Sequence, residues 1–284
     1  MDLPVGISTL QHTDRWVGGP LCAILTAFRK IFESAARPRP RDVERILFVK
    51  FAEQGSTVLA YPAILRAVEM VGRENVYFVV FEDNRFILDA MEIIPDRNVI
   101  TIATNSVFGL ATGALRAVLH VRKIGIDAVV DMEFLTRFSA ILTFMTGARA
   151  RVGFHTFFGD GPYRGDLMTH RLLYNPHLQT SQMFEAMVAA LTCDPAILPT
   201  FDFIPPANEP RPSFKPSVSE VVEINAILKR ENHGIGSAPL ILLNPNASDL
   251  LPLRRWPAPR YVELARRVAG TLSGIVYRIY WCAG

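Results

Sequence analysis

The chain has 284 residues, of which 50% are hydrophobic and 20% are charged, and its formal net charge at pH 7 is +3. This composition is typical of a well-packed globular protein and excludes a largely disordered chain. The length favours two cores of ordinary size. The net charge is too small to indicate nucleic-acid binding by itself.

Near the N-terminus, residues 17–28 form an apolar stretch with basic residues on both sides. The stretch is shorter than the about 20 apolar residues that span a bilayer. Acidic residues precede it, which argues against a cleaved signal peptide. The pattern fits two interpretations equally, a helix in the membrane interface and a first helix packed on the core. We assign residues 1–40 to such a helical extension.

From Arg45 onward, short runs of β-branched or aromatic residues alternate with segments of helical period. The runs cover residues 46–49, 76–80, 99–102 and 128–131. Each run is apolar throughout, as in strands buried on both faces of a parallel sheet. The alternation therefore predicts an α/β fold with right-handed crossovers and a doubly wound sheet.

The segment 153–176 interrupts this alternation and is rich in Gly, Pro, His and Tyr. A loop of this length in a compact domain is usually functional. After one more helix, the proline-rich segment 194–216 indicates a stiff linker. We therefore predict a complete Rossmann-like domain over residues 41–193. A second, incomplete one is predicted over residues 217–284, about half of the roughly 120 residues that such a domain needs.

The cysteines and histidines indicate neither a metal site nor a disulfide framework. Cys22, Cys193 and Cys282 are far apart, and the six histidines include no pair at metal-ligand spacing. There is no GxGxxG motif, so a nicotinamide site is not supported. We expect a reducing cytoplasm, no metal and no cofactor.

A first candidate site follows the predicted strand at residues 46–49. Lys50 ends this strand, Gly55 allows a turn, and Ser56 is placed to cap the next helix. Ligands gather at the carboxyl ends of parallel strands, where helix N-termini attract anions. The alternative is an ordinary capped helix beside a solvated lysine.

A second candidate site lies in the loop after the predicted strand at residues 240–243. Asn246, Ser248 and Arg254 precede Trp256 and a predicted helix. Their amide, hydroxyl and guanidinium groups can all donate hydrogen bonds to a diphosphate. The alternative is an ordinary polar loop.

Together these segments resemble the family 9 glycosyltransferases, the group of the ADP-heptose:lipopolysaccharide heptosyltransferases. The resemblance rests on VKxxxxGS before a Pro-containing helix, on TGARARVGF, and on LNPNASDLLPLRRWPAPRYVELA, of which RRWP is the most specific part. It covers about residues 45–268.

The resemblance implies a GT-B fold, with an acceptor on the N-terminal domain and a nucleotide-sugar on the C-terminal domain. Such enzymes transfer a heptose or a related sugar with inversion to lipopolysaccharide, without a required metal. By position, Lys50 and Arg137 would hold an anionic glycolipid acceptor, and Asn246, Ser248 and Arg254 would hold the donor diphosphate. From the cysteines, the apolar stretch 17–28 and the net charge, we expect a cytoplasmic location at the inner face of the membrane, with a membrane-surface contact and no nucleic acid.

Two departures from the family pattern bear on activity. Ser56 stands where the family has the aspartate expected as general base, and serine cannot accept a proton at neutral pH. Glu53 is a candidate substitute. No glycine-rich segment with Thr and His follows Val268, so we expect a C-terminally truncated chain of impaired activity. The alternative is a non-catalytic remnant that binds a glycolipid or phosphate. An α/β sugar-phosphate enzyme such as an epimerase rests on fold analogy alone.

Overall fold

The computed structural model describes residues 12–32, 43–51, 53–134, 136–155, 163–199, 202–206, 210–231, 240–243, 256–271 and 276–279. The chain divides into two compact units, Met1–Phe214 and Lys215–Gly284. The division falls at the end of the proline-rich segment 194–216.

The first unit is built on a parallel sheet of six strands in the order β3-β2-β1-β4-β5-β6. The strands are β1 (Ile46–Val49), β2 (Val76–Phe81), β3 (Val99–Ile102), β4 (Ala128–Asp131), β5 (Ala150–Phe154) and β6 (His170–Leu172). The four apolar runs predicted as strands are β1 to β4, and the α/β prediction is confirmed. Strand β6 lies inside the segment 153–176, which we expected to be a loop throughout. That expectation was wrong because the three residues of β6 include a histidine and an arginine and form no apolar run.

Helices cover both faces of this sheet. They are α1 (Gly19–Phe32), α2 (Gln54–Leu59), α3 (Tyr61–Val71), α4 (Arg85–Met91), α5 (Val107–Ile124), α6 (Arg137–Met145) and α7 (Thr180–Ala190). A π-helical turn, Asp14–Gly18, leads into α1. Helices α2 and α3 are separated at Ala60, and Pro62 lies in the first turn of α3, where its missing N–H has no intrahelical partner to lose.

Alternation along β1 defines the two cores. Ile46 and Phe48 belong to the core shared with α3, α4 and α7. Leu47 and Val49 belong to the core shared with α5 and α6. Every residue of β1 is buried, so both faces of this strand are covered. This is expected for a central parallel strand.

Helix α1 packs against α6, which lies on the same face of the sheet as α5. Cys22 of α1 lies in a small third core with Ala140 and Phe144 of α6. Because α6 directly follows β4 in the chain, the N-terminus of α6 lies at the carboxyl ends of the strands. Among the described helices none is both long and apolar enough to cross a bilayer.

The second unit contains two helices and two strands in its described part. They are α8 (Val218–Glu231), β7 (Leu240–Leu243), α9 (Ala258–Thr271) and β8 (Val276–Ile279). Strands β7 and β8 pair in parallel, with Leu240 opposite Val276. A parallel pair joined through a helix is the unit from which Rossmann-like sheets are built.

Candidate functional site

Lys50 and Glu133 meet at the carboxyl ends of β1 and β4. These strands are parallel neighbours, with Val49 opposite Asp131, so the residues that follow them lie side by side. The Lys50 ammonium donates to Glu133 Oε1 over 3.1 Å, and the same oxygen accepts the Phe51 N–H at 2.7 Å. Lys50 is 0% exposed. The solvated lysine of the alternative interpretation is therefore excluded.

Glu53 presents its carboxylate to solvent at this edge. Its side chain is 57% exposed, and Oε2 lies 3.6 Å from the Lys50 ammonium nitrogen. The Ser56 Oγ donates to the Glu53 carbonyl oxygen at 2.8 Å and lies 3.2 Å from Oε2. Lys50 thus stands between a buried carboxylate and an exposed one, with the Ser56 hydroxyl beside the exposed one.

The backbone of Glu53 is left-handed, with φ 66° and ψ 82°. A side chain other than glycine in this region carries strain of about 1 kcal/mol or more, and such residues cluster at functional sites. Glu53 is also the N-cap residue of α2, which begins at Gln54. The expectation that Ser56 caps this helix was wrong, because Ser56 is already the third residue of α2.

Arg137, the second cation predicted to bind the acceptor, is the first residue of α6. Asp14 Oδ1 accepts the N–H groups of Arg137 and Phe138, both at 2.9 Å. Asp14 Oδ2 lies 3.2 Å from the Arg137 guanidinium, which also donates to the Tyr163 carbonyl oxygen at 2.9 Å. An aspartate is favoured here by the unpaired N–H groups and the positive end of the helix dipole.

Both predicted acceptor residues are therefore engaged in ion pairs within the first unit. Lys50 pairs with Glu133, and Arg137 pairs with Asp14. Their acceptor-binding role stays a prediction.

A buried network of hydrogen bonds and one ion pair adjoins Glu133. Asp131 ends β4 and forms an ion pair with Arg164, and both side chains are almost fully enclosed. Ser139 Oγ donates to Asp131 Oδ2 at 3.1 Å, while the Arg164 guanidinium donates to the carbonyl oxygens of Thr136 at 2.9 Å and Glu133 at 3.0 Å. Burial raises the pKa of the Asp131 carboxyl above its usual range, and the Arg164 guanidinium opposes this rise.

This network attaches Arg164 to the end of β4. Sequence reasoning assigned a function to the whole segment 153–176 but missed the pairing of Arg164 with Asp131. The available signal was the charged residue at the end of an otherwise apolar strand, since such a residue requires a buried partner.

The predicted donor residues Asn246, Ser248 and Arg254 lie outside the described residues. The structure describes Trp256, whose ring packs edge-on against Tyr261 with centroids 5.2 Å apart, and α9, which was predicted as a helix from residue 259. Within the described ranges, no group of three or more His, Cys, Asp and Glu side chains is arranged to hold a metal ion.

Comparison with known proteins places this architecture in a structural class. No protein-family model and no curated protein sequence matches the chain. Solved structures do match, and they define the class as the GT-B-like α/β fold of the family 9 glycosyltransferases. The glycosyltransferase family 9 structure from Veillonella parvula has a TM-score of 0.59 at 16% sequence identity, over 86% of this chain and 64% of that chain.

A second similarity is to a particular enzyme of this class, the E. coli heptosyltransferase WaaC. Its structure with ADP-2-deoxy-2-fluoro heptose gives a TM-score of 0.51 at 18% identity, over 84% of this chain and 69% of that chain. Its structure with ADP gives the same TM-score at 16% identity, over 84% and 67%. At these identities the similarity shows the fold. The chain spans less than two thirds of the length of the Veillonella protein.

Proposed function

We propose that this chain is an inverting glycosyltransferase of the heptosyltransferase type. It moves a sugar from a nucleotide-diphosphate donor to an anionic glycolipid acceptor, a lipopolysaccharide or related envelope glycan, at the cytoplasmic face of a membrane. The observation that carries the proposal is the position of Glu53. An exposed carboxylate stands at the carboxyl edge of a parallel sheet, where ligands of this fold class bind.

The chemistry of an inverting transfer fits a carboxylate at this place. The acceptor hydroxyl attacks the anomeric carbon from the side opposite the nucleotide, and a base removes its proton as the new bond forms. In this chain Glu53 is that base. Ser56 cannot take the proton, and its hydroxyl instead holds the Glu53 carboxylate in position.

The leaving nucleotide diphosphate gains negative charge as the sugar departs. Hydrogen-bond donors and cations aimed at this charge stabilise the transition state. We assign that role to Arg254, Ser248 and Asn246, without a metal ion. The two WaaC structures that share the fold contain ADP and an ADP-sugar analogue, which supports a nucleotide-diphosphate sugar as co-substrate.

A second candidate is a non-catalytic module that binds a glycolipid or phosphate. The observation that favours it is Ser56, at the position where the resembling family has its aspartate. In that case Glu53 would have no catalytic role, and no sugar would be transferred.

The test measures release of the nucleoside diphosphate from ADP- and UDP-sugars in the presence of a lipopolysaccharide-core acceptor. We expect Glu53→Gln to lower the rate at least about 100-fold while leaving donor binding unchanged, since a missing general base costs about two orders of magnitude or more. Donor binding is followed by the rise in melting temperature at saturating nucleotide.

The matched control is Glu92→Gln. Glu92 is also an exposed glutamate with a left-handed backbone, φ 50°. It lies between α4 and β3, at the amino ends of the strands and away from Glu53. Full activity of Glu53→Gln would remove Glu53 as the base. Absence of both transfer and nucleotide stabilisation in the unmodified chain would favour the binding module.

A further inference from the structure

Helix α1 is fastened to the first unit along one face. Thr26 Oγ1 accepts the N–H of Asp166 at 2.8 Å, and the Arg29 guanidinium lies 2.9 Å from Asp166 Oδ1. Cys22 is fully buried against Gly165, where an added Cβ would lie 2.8 Å from the Cys22 carbonyl oxygen. This face of α1 therefore packs against the rest of the first unit.

The opposite face of α1 and its preceding turn is apolar and exposed. Seven large side chains form it: Trp16, Val17, Leu21, Ile24, Phe28, Ile31 and Phe32. At 100° per residue the five that belong to α1 lie within an arc of roughly 100° on the helix circumference, away from Cys22 and Thr26. The rings of Phe28 and Phe32 lie 4.4 Å apart, so the patch is continuous at this end. A contiguous apolar patch on a folded protein marks an interaction surface.

The exposed charges within residues 12–32 have one sign. Along residues 12–32 the exposed charged side chains are Arg15 and Lys30. The one acidic residue of this stretch, Asp14, is turned toward Arg137, and its side chain is only 18% exposed. An apolar face with cationic flanks is complementary to an anionic lipid surface, where the rings enter the interface and the cations meet the head groups.

Two other occupants fit this surface less well. A bilayer-spanning helix needs about 20 consecutive apolar residues, and α1 has 14 residues including Arg29 and Lys30. A second copy of the chain related by a two-fold axis would bring only cations together, either Arg15 against Lys30 or each against itself. Like charges at an interface oppose such pairing.

We propose that the outward face of α1 docks on an anionic membrane surface with the helix lying in the plane of the interface. This inference gives the membrane contact of the proposed function a defined surface and a lipid class. Because Asp14 holds the start of this element at the N-terminus of α6, the Trp16 end lies at the same sheet edge as Lys50 and Glu53. A glycolipid acceptor anchored in the same membrane would then present its sugar to that edge.

The experiment measures co-sedimentation of the full chain with phosphatidylcholine vesicles, with and without phosphatidylglycerol. No nucleotide-sugar is present, so the result is independent of sugar transfer. We expect binding to the vesicles that contain phosphatidylglycerol and a decrease in binding with added salt. Phe28→Ser/Ile31→Ser should lower the partition coefficient at least about tenfold, since two large apolar groups no longer enter the interface. Arg15→Glu/Lys30→Glu should lower it about tenfold or more at low salt.

The matched control is Phe86→Ser. Phe86 and Phe28 are both 51% exposed, but Phe86 belongs to α4, on the opposite face of the sheet. All these side chains point to solvent, so the variants should keep the unmodified melting temperature. The proposal is overturned if the Phe28→Ser/Ile31→Ser variant binds as the unmodified chain does, or if Phe86→Ser loses binding equally. It is also overturned if the unmodified chain ignores both kinds of vesicle, or if it forms a dimer that the Phe28→Ser/Ile31→Ser variant does not form.

Discussion

Replacing Arg164 by methionine should strongly destabilise the first unit. The substitution keeps much of the aliphatic bulk but leaves the Asp131 carboxylate, 0% exposed, without its counter-ion. It also removes the donors to the carbonyl oxygens of Thr136 and Glu133. Breaking a buried pair by removing one partner costs about 3 to 5 kcal/mol. With two further hydrogen bonds lost, we expect a decrease of about 4 kcal/mol or more in the free energy of unfolding at neutral pH.

The pH dependence of this loss has a definite sign. Burial already raises the pKa of the Asp131 carboxyl from its ordinary 3.8, and removal of Arg164 takes away the opposing effect. The folded state then binds the Asp131 proton more readily than the unfolded state does. The free energy of unfolding of Arg164→Met should therefore recover as the pH falls from neutral toward 3.8, relative to the unmodified chain.

The assay is urea unfolding followed by circular dichroism across this pH range, with Arg97→Met as the matched control. Arg97 forms an ion pair with Glu74 in which the side chains are 73% and 58% exposed. Exposed pairs contribute about 0 to 1 kcal/mol, so the control should be nearly neutral. A loss for Arg164→Met as small as that of the control would refute the reasoning that this pair offsets the desolvation of Asp131.

Two further predictions concern His170 and Gly165. Burial lowers the pKa of His170 to about 4 from 6.5, so stability fully present above pH 6.5 is lost as the pH falls toward 4. Between these pH values the free energy of unfolding of the unmodified chain should fall by about 3 kcal/mol more than that of His170→Gln. Parallel pH profiles of the two proteins in urea unfolding would contradict this. Gly165→Ala should lower the free energy of unfolding by about 2 kcal/mol, because Gly165 has φ +70° and the added Cβ would lie too close to the backbone of α1. Thermal unfolding measures this loss. Gly270→Ala, in α9 with open space around it, should be neutral or slightly stabilising, and equal effects of the two substitutions would argue against the close contact with α1.

The central strands of the first unit could be predicted because each is an uninterrupted apolar run. Burial on both faces imposes that pattern, and it is visible without any knowledge of strand order. Strand β6 could not be found in this way, because its residues are partly polar and pair only at one edge of the sheet. Its membership of the sheet depends on β5 beside it rather than on its own composition.

The candidate site could be predicted only for those residues that lie close together in the sequence. Lys50 at the end of β1 and Glu53 in the following turn were both identified from the sequence. Glu133 was not, because it lies 83 residues from Lys50 and becomes its neighbour only when β4 is inserted next to β1. The left-handed backbone of Glu53 likewise had no signal, since that conformation is usually marked by glycine or asparagine.

The contacts of α1 have a consequence for biosynthesis. Asp14 in the turn before α1 contacts Arg137, 123 residues further along the chain, and Thr26 of α1 contacts Asp166, 140 residues further along. At about 5 to 20 residues per second, Arg137 and Asp166 are translated roughly 6 to 30 seconds after these partners. During that interval the inward face of α1 has nothing to pack against, so both faces are open to the first apolar surface that the nascent chain meets. If that surface is the bilayer, the helix can settle at the lipid boundary while the sheet to which it will be joined is still being made.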